Sequence, residues 1–160
     1  MRHHLQNHLR EAHALEIQSA NFTKQAKEIA DDRFFNEACN RNFEASRKHA
    51  AILEQRLTLL GAKPSRIEDS ALGFGGWNWN FFFKLHSDTP AKIAGFAYAH
   101  EHLKAAGYDL RTRTATRAGD PDTEKICLEL VTEQRAMADG VAETFDSVVQ
   151  TTLNRSAVLE

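Results

Sequence analysis

From residue 3 to about residue 30, Leu5, Leu9, Ala12, Leu15, Ser19, Phe22, Ala26 and Ile29 recur at steps of three and four. That spacing gathers side chains on one face of an α-helix. A second stripe, Cys39, Phe43, Ser46, Ala50, Leu53, Leu57 and Leu60, predicts a helix over 32–60, opened by Asp31–Asp32 and stopped by Gly61 and Pro64. Asp88-Thr89-Pro90 is a capping residue followed by a proline suited to a first helical turn, and it begins a third helix over 90–118. Its stripe includes Ile93, Phe96, Ala97, His100, Leu103, Lys104, Gly107 and Leu110. Gly119-Asp120-Pro121 repeats the punctuation, and a fourth helix over 121–152 turns Cys127, Leu130, Gln134, Met137, Val141, Phe145 and Val148 inward. Ala, Leu, Glu, Lys, Arg and Gln dominate these stretches, which favours helix. Strand-like alternation occurs only briefly, in WNWNF.

Two helical hairpins with tight turns are therefore separated by a connection over 61–89, too long for a hairpin loop. The pattern predicts an all-α fold, a ferritin-like four-helix bundle whose two antiparallel hairpins are joined by one long crossover. The crossover carries ALGFGGWNWNFFFKL, whose Trp77, Trp79, Phe81 and Phe83 either close the bundle end as core or offer an interface.

Composition narrows the picture. A chain of 160 residues is expected to form a single domain, 1–160. A net charge of −2 supplies no basic footprint for nucleic acid. The N-terminal MRHHLQNHLREAHALE is charged throughout, so neither a signal peptide nor a membrane span is expected there. Cys39 and Cys127 lack ligand spacing and read as buried thiols of a reduced, cytoplasmic protein.

The candidate chemistry centres on AYAHEHLKAAGYDL, residues 97–110, where histidines and a glutamate surround Lys104. LEIQSANF (15–22) and LKAAGYDL (103–110) form a faint internal repeat that makes Glu16 and Lys104 equivalent. Together with RAGDPDT, LELVTEQRAMADGV, LREAHALE and RNFEASRKHAAILEQRLTLLG, the 97–110 stretch resembles the ferritin-like bacterial stress proteins of the YciE/YciF type. The resemblance implies inward glutamates on all four helices, two of them paired with a histidine three residues on, holding two metal ions. This chain departs from that pattern. No Asp or Glu is followed by a histidine at that spacing; the order is reversed at His8–Glu11 and His13–Glu16. Aligned on the family pattern, Glu16 survives, while the other three positions read Ala45, Lys104 and Gln134. Glu44, Glu101 and Glu133 are expected on flanks or outer faces.

These substitutions predict a dismantled metal site with no cofactor. A polar core of Asn42, His49 and His100 would surround Lys104, which either pairs with Glu16 or reaches solvent. The expected role is non-catalytic, through the surface of a homodimer or with a protein partner, or by small-molecule binding in the vacated core. The alternative is an oxidase or iron-binding protein using iron or manganese on Glu16, His100, Glu101 and Glu133.

Overall fold

The computed structural model describes residues 1–64 and 90–159. Five helices fill this span: α1 (Arg2–Ala30), α2 (Arg33–Leu59), α3 (Pro90–Ala118), α4 (Pro121–Ala142) and α5 (Phe145–Leu159).

The turns follow from their residues. Asp31 takes the left-handed conformation, with φ 49°, and ends α1. Asp32 then caps α2 by accepting the Phe35 amide at 2.9 Å. Gly119, with φ 67°, ends α3, and its amide and that of Asp120 return to the Thr116 and Ala115 carbonyls. Asp120 caps α4 through the Thr123 amide at 3.0 Å. The expected cap at Asp88 lies outside the described residues, but Pro90 does open its helix.

The expected continuous fourth helix over 121–152 is interrupted. At Thr144 the hydroxyl and the amide both return to the Val141 carbonyl, at 2.7 and 3.0 Å, so an i, i+3 turn replaces the α-helical bond. Helix α5 restarts there, and its Ser147 and Thr151 hydroxyls donate to Asp32, each at 2.7 Å. The cap of α2 thus also fastens the last helix.

Helix α1 packs on α2 and α3, and α4 packs on α3 and α2. Arg111 reaches the His8 carbonyl while His100 meets Ser19, so α1 and α3 run antiparallel. Lys48–Glu133 and Arg56–Asp120 set α2 antiparallel to α4. The described ends of the crossover, Pro64 and Pro90, lie at opposite ends of the bundle. Lys63 meets Arg10 of α1 at one end, and Ala91 meets Thr152 of α5 at the other. The architecture is the all-α ferritin-like bundle, and none of its described helices is long and apolar enough to cross a membrane.

Two apolar clusters divide the interior. One gathers Leu5, Leu9, Leu53, Leu57 and Leu130; the other gathers Phe22, Phe35, Ile93, Val141 and Val148. The inward face of α3 between them differs from the expected stripe. Leu103 and Leu110 are 44% and 66% exposed, whereas Glu101, Lys104, Ala105, Tyr108, Thr112 and Ala115 are buried. The outward leucines drew the sequence-based stripe to one side of the true core line.

Candidate functional site: a buried polar layer

All four bundle helices contribute polar side chains to the layer between the apolar clusters. Glu16 and Ser19 come from α1, one turn apart. Asn42, Ser46 and His49 follow the same helical face of α2, and His100, Glu101, Lys104 and Tyr108 that of α3. Gln134 comes from α4, with Glu133 at the rim.

The centre is an ammonium group held by two carboxylates. Lys104 Nζ lies 2.9 Å from Glu16 Oε2 and 3.2 Å from Glu101 Oε2, and it donates to Ser46 Oγ at 3.0 Å. All three charged residues are about 1% exposed. Glu16 Oε1 accepts from Tyr108 Oη at 2.6 Å and from Gln134 Nε2 at 3.0 Å. Glu101 Oε1 accepts from Asn42 Nδ2 at 3.3 Å.

The two carboxylates titrate in opposite directions. Burial alone would raise Glu16, but the charge of Lys104 and hydrogen bonds from His49 and Tyr108 overcome it and hold the group at about 2. For Glu101 burial wins over the attraction of Lys104, and its pKa is raised. Glu16 is therefore the firm partner of the ammonium, and Glu101 binds a proton first. Burial, with the neighbouring charge of Glu16, pushes Tyr108 well above its ordinary value, keeping it a donor.

His49 connects this centre to the rim. Its Nε2 lies 2.8 Å from Glu133 Oε2, and its Nδ1 lies 3.1 Å from Gln134 Nε2. Glu16 Oε1 lies 3.5 Å from the same Nδ1, so the ring stands between Glu16 in the interior and Glu133 at the rim. Lys48 also pairs with Glu133, which is 40% exposed. On the other side, His100 Nε2 and Ser19 Oγ are 2.6 Å apart, and burial together with Lys104 depresses the imidazole to about 4.

The layer brings together Glu16, Lys104 and Gln134 with Asn42, His49 and His100. Ala45 does not join it: it is half-buried, and Ser46 takes the place beside the ammonium. The predicted stripe shares Cys39, Ser46, Leu53 and Leu57 with the observed inner face of α2, but its Phe43 and Ala50 are only half-buried while Asn42 and His49 are enclosed. Glu101, expected on a flank, is almost fully enclosed, because the true inward face of α3 passes through it. Solvent is not the destination of Lys104. Sequence reasoning missed Tyr108, although it stands one helical turn after Lys104, and also Ser19 and Ser46 as polar members of the layer. The aromatic candidates Trp77, Trp79, Phe81 and Phe83 lie outside the described residues.

Residues 1–154 match a family described as "Domain of unknown function (DUF892)". The chain belongs to that family. Among solved structures, this DUF892 protein is similar to a protein from Xanthomonas campestris pv. campestris, at 22% identity and a TM-score of 0.79, covering 98% of this chain and 97% of that one. It is also similar to a bacterioferritin from Desulfovibrio desulfuricans, at 14% identity and a TM-score of 0.72, covering 93% of this chain and 82% of that one. That bacterioferritin is described with a diiron site in different catalytic states. At these identities the likeness is one of fold. No curated protein matches the chain.

The fold therefore invites a test of whether this layer suits two metal ions. It does not. Among the described residues no three His, Cys, Asp or Glu side chains converge as a metal ion requires. The two inner carboxylates already share a covalently attached cation. A divalent ion about 4 Å from that ammonium would be repelled by about 8 kcal/mol at an effective dielectric of about 20.

Proposed function

We propose that this DUF892 protein is a non-catalytic ferritin-like bundle that holds no resident metal and acts through its surface. The observation that carries the reading is the Lys104 ammonium seated between Glu16 and Glu101. The amide of Gln134 adds a neutral group where the family pattern has a carboxylate, and it is fully buried against Glu16 and His49. Such a layer has its inner carboxylates already taken by the ammonium and by the Tyr108, Gln134 and Asn42 donors.

Buried charge of this kind fixes which helix faces meet, and replacing it by apolar side chains is often neutral or stabilising. Its value to this chain is register, with one charge on α1 and its counter-charge on α3. The surface role is supported by the outer face of α3, where Ala99, Leu103, Ala106 and Leu110 are exposed in series. This apolar line, opposite the core, suits a second copy of the chain, in a homodimer of the stress-protein kind that the sequence resembles.

The test is metal analysis of tag-free protein after incubation with Fe(II) or Mn(II) and exhaustive dialysis. Protein without core-bound metal and without oxidase turnover is expected. Retention of about two ions per chain, as ferritin-like di-metal bundles hold, by a mode that Glu16→Gln abolishes, would overturn the proposal.

A further inference from the structure

We infer that His49 and Glu101 hold one proton between them, that this proton enters the layer at Glu133, and that its move to His49 pins α2 to α1 and α4 as a pH-sensitive clasp. The inference rests on the reading that no metal occupies the layer, and it goes beyond that reading by giving the layer a response to its surroundings.

Three observations carry it. First, the charges inside do not balance. Glu16 and Glu101 face one ammonium, Lys104, at 2.9 and 3.2 Å, while Glu133 at the rim is matched by Lys48 at 3.0 Å. Ionising both inner carboxylates leaves one negative charge uncompensated in a water-poor interior, and a single proton relieves it. Second, two groups can take that proton. Burial favours the neutral acid at Glu101. His49, fully buried, stands between two other carboxylates, with Nδ1 3.5 Å from Glu16 Oε1 and Nε2 2.8 Å from Glu133 Oε2. Glu16 and Lys104 link the two groups, so the charge of one is felt at the other and they titrate as a pair. Third, Gln134 suits both states. As placed, its Nε2 faces His49 Nδ1 at 3.1 Å and its buried Oε1 meets no donor among the described residues. Turning the amide presents that oxygen to a protonated Nδ1.

The surroundings of the ring fix the direction of the response. Glu16 of α1, Tyr108 of α3, and Glu133 and Gln134 of α4 face it, with Lys48 beside it on α2. Lys104 and Glu101 of α3 act on it through Glu16. Tyr108 stays neutral, so the carboxylates draw a proton to the ring and the two lysines oppose it. Glu133 is 40% exposed whereas Glu16 and Glu101 are sealed, which makes the Glu133–His49 contact the way in. An imidazolium there is a charged donor to α1 and α4 at once, which a neutral ring is not.

The experiment follows the His49 ring nitrogens by NMR between about pH 5 and pH 8, where histidines commonly change charge, in protein whose metal content has been measured. Glu101→Gln leaves Glu16 and Lys104 balanced, so the midpoint of His49 should fall by roughly one pH unit; Lys104→Met removes the cation, and the midpoint should rise by a similar amount. Opposite shifts of this kind do not arise from a merely structural role. If Lys104→Met is unfolded, Glu101→Gln, which keeps the shape of its side chain, decides alone. An unchanged midpoint in Glu101→Gln, or a ring that titrates in neither protein, overturns the inference. For the clasp, the melting-temperature gap between wild type and Glu133→Gln should widen as the pH falls from about 8 to about 5, because Glu133 is lowered from 4.5 and stays ionised while the ring gains its proton. A constant gap overturns it. Core metal in the wild type would overturn the proposed function; metal-free protein whose His49 ignores Glu101 overturns this inference alone.

Discussion

Substituting Glu16 by Gln keeps the shape of the side chain and removes its charge, so the consequence can be worked from the layer itself. The carboxyl is lowered from 4.5 to about 2 in the folded protein by Lys104, His49 and Tyr108, against the opposing effect of burial. At about 1.36 kcal/mol per pH unit, that difference corresponds to about 3 kcal/mol of stability. Because the folded-state pKa lies below the unfolded one, this stability is complete above about pH 4.5 and is lost as the pH falls through about 2. Asp32, Asp120 and Glu133 are lowered as well and weaken the protein in acid. The informative quantity is therefore the gap between wild type and Glu16→Gln, in which those three cancel. Guanidinium unfolding should give a gap of about 3 kcal/mol near neutrality, or roughly 6–12 °C in melting temperature. The gap should close between about pH 5 and pH 2 as the wild-type carboxyl takes up its proton. A gap that stays constant over this range would show that Glu16 is not held as the anion of a buried pair, and the electrostatic account of the layer would fall.

Tyr108→Phe removes only the hydroxyl that donates to Glu16 at 2.6 Å. Denaturant titration should show a loss of about 1.5–3 kcal/mol, the range for a hydrogen bond to a charged group, and a much smaller loss in the Glu16→Gln background. Equal losses in both backgrounds would place the hydroxyl's contribution elsewhere. On the outer face of α3, Leu103→Glu with Leu110→Glu should convert a dimer to a monomer in light scattering while leaving helicity intact, since both side chains are exposed. A wild-type monomer, or a dimer indifferent to the pair, would remove α3 from the interface.

The helices, their caps and the antiparallel hairpins could be read from the sequence because the signals are local. Pro90, Gly119, Asp120 and Asp32 act on the turns in which they stand, and three- and four-residue spacing records an amphipathic face. The break at Thr144 left no such signal. It depends on a hydroxyl turning back to Val141 and on α5 finding Asp32, a residue more than a hundred positions away. The pairing of Glu16 with Lys104 could be anticipated from the internal repeat, which put the two at equivalent positions on α1 and α3. Asn42, His49, His100 and Gln134 were expected inside as well, but Glu101, Tyr108 and Ser46 were not placed beside the lysine, because a hydrophobic stripe finds the core only where the core is apolar. On α3 the inward residues are Glu101, Lys104 and Tyr108 while two leucines face outward, so hydrophobicity pointed away from the site. On α2 the stripe included Ser46 beside Phe43 and Ala50, but alignment on the family pattern selected Ala45 as the ligand position, and Ser46 is the residue that meets the ammonium.

Burial of Glu101 changes the account of the lysine. A Glu16–Lys104 pair alone would be a two-body salt bridge; a second enclosed carboxylate makes the ammonium the shared counter-ion of two helices, α1 and α3, with Ser46 of α2 completing its shell. Its removal therefore uncovers two like charges, and breaking such a buried arrangement is expected to cost about 3–5 kcal/mol.

The central claim is that the cation at the middle of this bundle is a side chain. Metal content of tag-free wild-type protein, measured after Fe(II) loading and dialysis beside Glu16→Gln, tests it most directly. The account predicts the same negligible core metal in both proteins. About two iron ions per chain retained by the wild type and lost from the variant would contradict it.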